Sequence, residues 1–146
     1  MITKKEILYP ELSYKVIGCA FEVYNEIGGG HKEITYHKAM KIAFEKASLP
    51  YKENLYWPVK FHSVVVEKVF FDFSVEDKIV VELKTRDNFL KKDFEQLTNY
   101  LNNCDQKLGI LISFGPRQVI YKRVLNTLLL NKEKGIQDIV NLSPDS

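Results

Sequence analysis

Apolar residues recur along the first third of the chain with helical spacing. Leu12, Val16, Ile17, Ala20, Phe21, Tyr24 and Ile27 form one stripe, and a 3.6-residue period predicts an amphipathic helix. Gly28-Gly29-Gly30 ends it, because consecutive glycines lose too much backbone entropy in a helix interior. A second helix is predicted from about His31 to Ser48, closed by Pro50. The period then shortens. Asn54 to Phe61 reads as a strand in which Pro58 marks an edge or a bulge, and Val64 to Val75, rich in Val and Phe, as another. Glu76-Asp77-Lys78 turns the chain into a third strand, Ile79 to Lys84, giving an antiparallel meander. A third helix over about Asn88 to Asn103 carries Leu90, Phe94, Leu97 and Leu101 on one face. Leu108 to Ile112 is a continuous apolar run, the mark of a central strand covered on both sides. Gly115-Pro116 leads into Gln118 to Arg123, a weaker, peripheral strand. Beyond it, Leu128-Leu129-Leu130 calls for cover, and Ser143 to Ser146 should fray. The order α, α, β, β, β, α, β, β predicts an α/β fold, a mixed sheet with helices packed against it.

Composition narrows the class without naming a function. The chain has 146 residues, 45% hydrophobic and 27% charged, enough for one domain with a substantial core and too apolar for disorder. With no repeat, linker or low-complexity stretch, residues 1–146 read as a single domain. No run of 18 apolar residues is present and Met1 to Glu6 lacks a secretory pattern. Cys19 and Cys104 are far apart, so a disulfide scaffold or zinc site is not expected and a reducing cytoplasm is. A net charge of +2 requires any basic surface to be local.

The candidate chemistry lies in a few polar residues at apolar positions. On the second helix, Met40 and Phe44 lie within about 20° of Glu33 on a helical wheel. Glu33 is therefore expected to face the interior, where a carboxylate needs a partner; the alternative is a helix-start acid that complements the dipole. Asp72 interrupts Val69-Phe70-Phe71-Asp72-Phe73, against β-propensity. It is either on a solvated strand face or held for chemistry. Alternation puts Glu82 and Lys84 on one strand face. If Val75 pairs with Ile79 across the turn, Asp72 falls opposite Glu82, whereas a one-residue slip separates them. The register that joins them is the one expected here. Two adjacent carboxylates repel unless a cation lies between them, and oxygen-only ligands favour Mg²⁺ or Mn²⁺. Gln96 and Tyr100 stand one turn apart beside the apolar stripe of the third helix. His31, His37 and His62 have no metal-ligand spacing and read as surface or core residues.

Asp72, nine residues, then Glu82-x-Lys84 resembles the core motif of the PD-(D/E)XK nuclease superfamily. Glu33 upstream and Gln96-x-x-x-Tyr100 downstream are similar to the accessory motifs of its RecB-like branch. Gly30-His31-Lys32-Glu33-Ile34-Thr35-Tyr36 resembles the motif of the GxxExxY protein family within it. The likeness covers roughly residues 8 to 125, with Phe71 in place of the proline before the aspartate; residues 126–146 are left unassigned. It implies a restriction-endonuclease-like fold with a mixed four-stranded core sheet flanked by helices. It further implies Mg²⁺ (or Mn²⁺) bound by Asp72, Glu82, the Leu83 carbonyl and Glu33, with Lys84 orienting the attacking water and Gln96 and Tyr100 positioning the phosphodiester.

A phosphate backbone would need a local cationic surface. Arg86, Lys91 and Lys92 follow Lys84 closely, and Lys107, Arg117, Lys122 and Arg123 form a second candidate group. The resulting expectation is a Mg²⁺-dependent nuclease with nucleic acid as its partner, DNA ahead of RNA. It has no membrane partner and is compatible with a homodimer. The rival expectation is a non-catalytic nucleic-acid-binding or assembly module on the same fold.

Overall fold

The protein is described here by a computed structural model over residues 8–134. The readings made for Met1 to Glu6 and Ser143 to Ser146 lie outside the described residues. Helices α1 (Pro10–Ile27) and α2 (Glu33–Lys46) precede strands β1 (Tyr51–Phe61), β2 (Val64–Val75) and β3 (Ile79–Lys84). Helix α3 (Lys91–Asn103) leads to β4 (Leu108–Phe114), β5 (Val119–Leu125) and a short α4 (Thr127–Lys134). The five strands form one sheet in chain order, antiparallel except where β3 runs parallel to β4. That parallel step requires a crossover, which α3 provides. The result is the expected restriction-endonuclease-like architecture, with β1 adding a fifth strand to the four-stranded core that the resemblance implied.

Strand alternation sorts the core into two layers. Ile79, Val81 and Leu83 of β3 pack with Val16, Met40 and Phe44 of α1 and α2, whereas Val80 packs with Leu97 and Leu101 of α3. By the same parity Glu82 and Lys84 lie on the α3 face. Every residue of β4 is buried, as its unbroken apolar run predicts. Gly109 lets α3 approach closely, since a Cβ there would meet Leu97 Cδ2 at 2.7 Å.

Several boundaries differ from expectation. The buried line of α1 is Ser13, Val16, Cys19, Ala20 and Val23, while Phe21 rotates outward to meet Tyr121 of β5 edge-on at 6.4 Å. β1 starts at Tyr51 and is an edge strand, with its register shift at Val59/Lys60 beside Pro58. Helix α3 begins at Lys91 and Leu90 is its N-cap, so Asn88 is loop. In α4, Leu128 remains exposed and Leu129 and Leu130 are half-buried.

β2 changes layers halfway along. Val69 and Phe71 pack with α3, but Phe73 and Val75 pack with α1 and α2, although all four share strand parity. Asp72 marks the crossing. Its cross-strand neighbour Asn54 has a left-handed backbone (φ 55°) and is skipped in the β1–β2 ladder.

Candidate active site

β2 and β3 pair through Val75↔Ile79, Ser74↔Val80 and Phe73↔Val81. Beyond that point they part, and Asp72 and Glu82 occupy the parting. Each carboxylate takes over a ladder hydrogen bond. The Asp72 N–H donates to Glu82 Oε1 at 3.2 Å and the Leu83 N–H to Asp72 Oδ2 at 2.8 Å. The Val75–Ile79 register therefore brings the two acids together.

Their electrostatics follow from that crowding. Glu82 is buried and its carboxyl is pushed up to about 10, first by desolvation, then by its hydrogen bond to Asp72 and the Asp72 charge, against the pull of Lys84. Glu33 is also raised, first by partial desolvation of its carboxyl at the edge of the site and second by Asp72, while Lys84, Arg86 and His37 oppose the rise. The interior placement expected of Glu33 does not hold: it is exposed, as the first residue of α2. Met40 and Phe44 on the same face are fully buried, but the first turn extends past the core edge and leaves Glu33 at the mouth of the site. Tyr36 fixes that turn. Stacked on Phe114 at 4.3 Å, it donates to the Gly28 carbonyl at 2.7 Å and accepts the His31 N–H at 3.3 Å.

Lys84 is half-buried. Its Nζ stands 3.6 Å from Glu82 Oε2 and 3.8 Å from Asp93 Oδ1, close enough for charge attraction but beyond hydrogen-bond length. Its three donors remain free for a water or a phosphate oxygen. Asp93, buried in the first turn of α3, anchors the far side. Its Oδ2 accepts from the Leu90 N–H at 2.9 Å and from Arg86 Nη1 at 2.5 Å. Ser113 ties down the same loop, accepting the Arg86 N–H at 2.8 Å and donating to the Arg86 carbonyl at 2.6 Å. Arg86, a candidate phosphate contact, is thus tethered to Asp93 through Nη1. Lys92 is exposed, and the exposed Lys91 faces Glu95 at 3.8 Å.

Sequence reasoning missed His37, Glu53 and Asp93. His37 is buried against Phe73, with Nδ1 2.7 Å from Asp72 Oδ1 and Nε2 3.0 Å from Glu53 Oε1. An ionised carboxylate only accepts, so both contacts are hydrogen bonds when both ring nitrogens carry hydrogen. Lys41 holds the other Glu53 oxygen at 2.9 Å, and Lys41 and His37 together lower the Glu53 carboxyl below its ordinary range. The signal was available: Glu33, His37 and Lys41 recur every four residues and share one face of α2. Asp93 likewise falls on the buried face of α3 with Leu97, Tyr100 and Leu101.

Neither Gln96 nor Tyr100 hydrogen-bonds to Asp72, Glu82 or Lys84 among the described residues. Tyr100 packs on Phe71 at 4.4 Å in the α3 layer, its hydroxyl pushed up to about 12 by burial and by Cys104. Gln96 is half-buried and lines a groove between α3 and the β1–β2 hairpin. The second basic group is partly engaged, Lys107 with Glu133 at 2.9 Å and Arg123 with the Leu8 carbonyl.

No three His, Cys, Asp or Glu side chains among the described residues already form a metal cage. The donor set nevertheless suits a hard divalent cation. Asp72 and Glu82 offer carboxylate oxygens with lone pairs beyond their hydrogen bonds.

No curated protein matches this sequence. The family model of the PD-(D/E)XK nuclease superfamily matches residues 10–124. Among solved structures, the crystal structure of SSO0001 is similar over 93% of this chain and 70% of that chain, with 15% identity and a TM-score of 0.50. At that identity the likeness is one of fold alone.

Proposed function

This chain belongs to the PD-(D/E)XK nuclease superfamily, and from that premise we propose that it is a Mg²⁺- or Mn²⁺-dependent nuclease hydrolysing phosphodiester bonds, in DNA ahead of RNA. The observation that carries this reading is the meeting of Asp72, Glu82 and Lys84 where β2 parts from β3. Asp72 and Glu82, with the Leu83 carbonyl and with Glu33 at the mouth, are the groups that would hold the cation. The bound cation supplies Lewis-acid polarisation of the phosphate and lowers the pKa of a bound water.

The chain's own residues do the rest. Lys84, placed between Glu82 and Asp93 without a short hydrogen bond to either, donates to the attacking water or to a non-bridging oxygen as negative charge grows there. Asp93 keeps the ammonium aimed at the acids while Arg86 balances the charge of Asp93. His37 holds Asp72 from the side opposite Leu83, so that the Asp72 carboxylate keeps one orientation. The exposed Lys92, with Lys91 beside it 3.8 Å from Glu95, supplies the surface cations that follow the site along the chain for a phosphate backbone. No described helix is long and apolar enough to cross a membrane.

The test is cleavage of single-stranded, duplex, circular and branched DNA with Mg²⁺, Mn²⁺ or EDTA. Metal-dependent cutting that disappears in Asp72→Ala is the expected result. Cutting that persists in EDTA, or in that variant, contradicts the reading.

A further inference from the structure

Between the β1–β2 hairpin and α3 lies a groove of about 300 Å³ whose walls include Trp57, Glu67, Val69, Lys92, Gln96 and Asn99. We propose that this groove seats one unstacked nucleobase of a single-stranded nucleic acid, beside the phosphodiester on which Asp72, Glu82 and Lys84 act. The proposal rests on the nuclease reading above and adds the form of the substrate.

Shape, chemistry and position each support it. The volume is at the small end of the roughly 300–1,000 Å³ usual for small-molecule sites, suited to one base rather than a duplex. Trp57 is half-buried and backed by Phe71 at 6.3 Å and Tyr100 at 5.9 Å. That backing makes it a rigid stacking platform, and stacking accepts any base. The side-chain amides of Gln96 and Asn99 make no hydrogen bond among the described residues. Both present donors and an acceptor to whatever occupies the groove.

Charge argues for a base over the phosphate backbone. Lys92 shares the lining with Glu67 and Glu95, the latter also 3.8 Å from Lys91, so the lining carries no surplus of positive charge for a phosphate track. The same carboxylates accept from exocyclic amino groups. Stacking on Trp57, in contrast, requires a base unstacked from its neighbours, as in a single strand.

The groove also points at the acids. Val69 precedes Asp72 by three residues, roughly 10 Å of strand. Gln96 follows Asp93, the partner of Lys84, by three residues, roughly 5 Å of helix. A base in the groove therefore belongs to a nucleotide neighbouring the scissile phosphate.

Trp57 is the only tryptophan in the chain, so its fluorescence reports the groove directly. The full chain in EDTA is titrated with a mixed-sequence single strand, the same strand carrying abasic sites, and the duplex. Saturable quenching by the intact strand, and binding weakened about tenfold by loss of the bases, are expected. With a labelled strand, Trp57→Ala weakens binding about tenfold and Trp57→Phe restores most of it. Gln96→Ala, on a helix surface, weakens binding without the risk of unfolding. Equal binding by intact and abasic strands, or equal quenching by the duplex, overturns the proposal. Base-dependent quenching without any cleavage would refute the nuclease and leave the groove standing. Cleavage with unchanged Trp57 fluorescence would do the reverse.

Discussion

Replacing Glu82 with glutamine tests the electrostatics of the site without removing its shape. The Glu82 carboxyl is raised from its ordinary 4.5 to about 10 by burial and by Asp72. Between those values the folded protein holds a proton that the unfolded chain has released. Stability must then fall as pH rises, by up to about 1.4 kcal/mol per pH unit. From pH 6 to pH 8 the metal-free protein should lose up to roughly 3 kcal/mol through this group, a melting-temperature drop on the order of 10 °C for a chain this size. Glu82→Gln keeps an acceptor for the Asp72 N–H and has nothing to ionise. Its melting temperature in EDTA should be much less pH-dependent and above that of the wild type at pH 8. Urea titrations of both proteins at several pH values give the two slopes, and the titrating groups common to both cancel in the difference. Mg²⁺ at pH 8 should raise the melting temperature of the wild type and leave that of the variant nearly unmoved. A wild-type stability that is flat from pH 6 to pH 8, or a variant with the same slope, would refute the argument.

Three other perturbations probe separate parts of the structure. His37→Ala leaves Asp72 and Glu53 without the ring between them and should cost about 2–3 kcal/mol in urea unfolding; a loss below about 0.5 kcal/mol would mean the network is idle. Asp93→Ala removes the shared partner of Lys84 and Arg86 and the acceptor of the Leu90 N–H and should destabilise by about 1–3 kcal/mol; an unchanged melting temperature would contradict this. Gly109→Ala drives a methyl into Leu97 at 2.7 Å and should cost about 1–3 kcal/mol; a neutral result would show that α3 is free to retreat from β4.

What the sequence made legible was set by local physics. Helical and strand periods located both early helices, the meander and the covered β4 because each buries one face or two. The turn at Glu76 and Asp77, both left-handed with φ 53° and 54°, fixed the register that joined Asp72 to Glu82. Where the reading failed, the deciding contact was distant in sequence. His37 gains its role from Asp72, 35 residues on, and from Glu53, 16 residues on. Tandem acids are conspicuous in a strand, but a histidine on a helix is ordinary until its neighbours are known. Glu33 was misplaced for a different reason, since a helical wheel gives direction around the axis and not distance along it. The Arg86–Asp93 pair was hidden as well, because the folding of α3 brings Asp93 onto the Arg86 guanidinium at 2.5 Å. The layer change of β2 at Asp72 was equally hidden, because an odd-even pattern assumes an unbroken strand and Asn54 breaks the ladder opposite.

Lys84 carries the central claim, because among the described residues it is the cation placed among the acids without a short hydrogen bond. The most direct measurement compares the rate of DNA cleavage by the wild type and by Lys84→Ala under saturating Mg²⁺, with calorimetric Mg²⁺ binding measured on both. The account predicts that the variant binds Mg²⁺ and melts near the wild type, while its cleavage rate falls by about 10²–10³ or more. Cleavage undiminished in Lys84→Ala would contradict it.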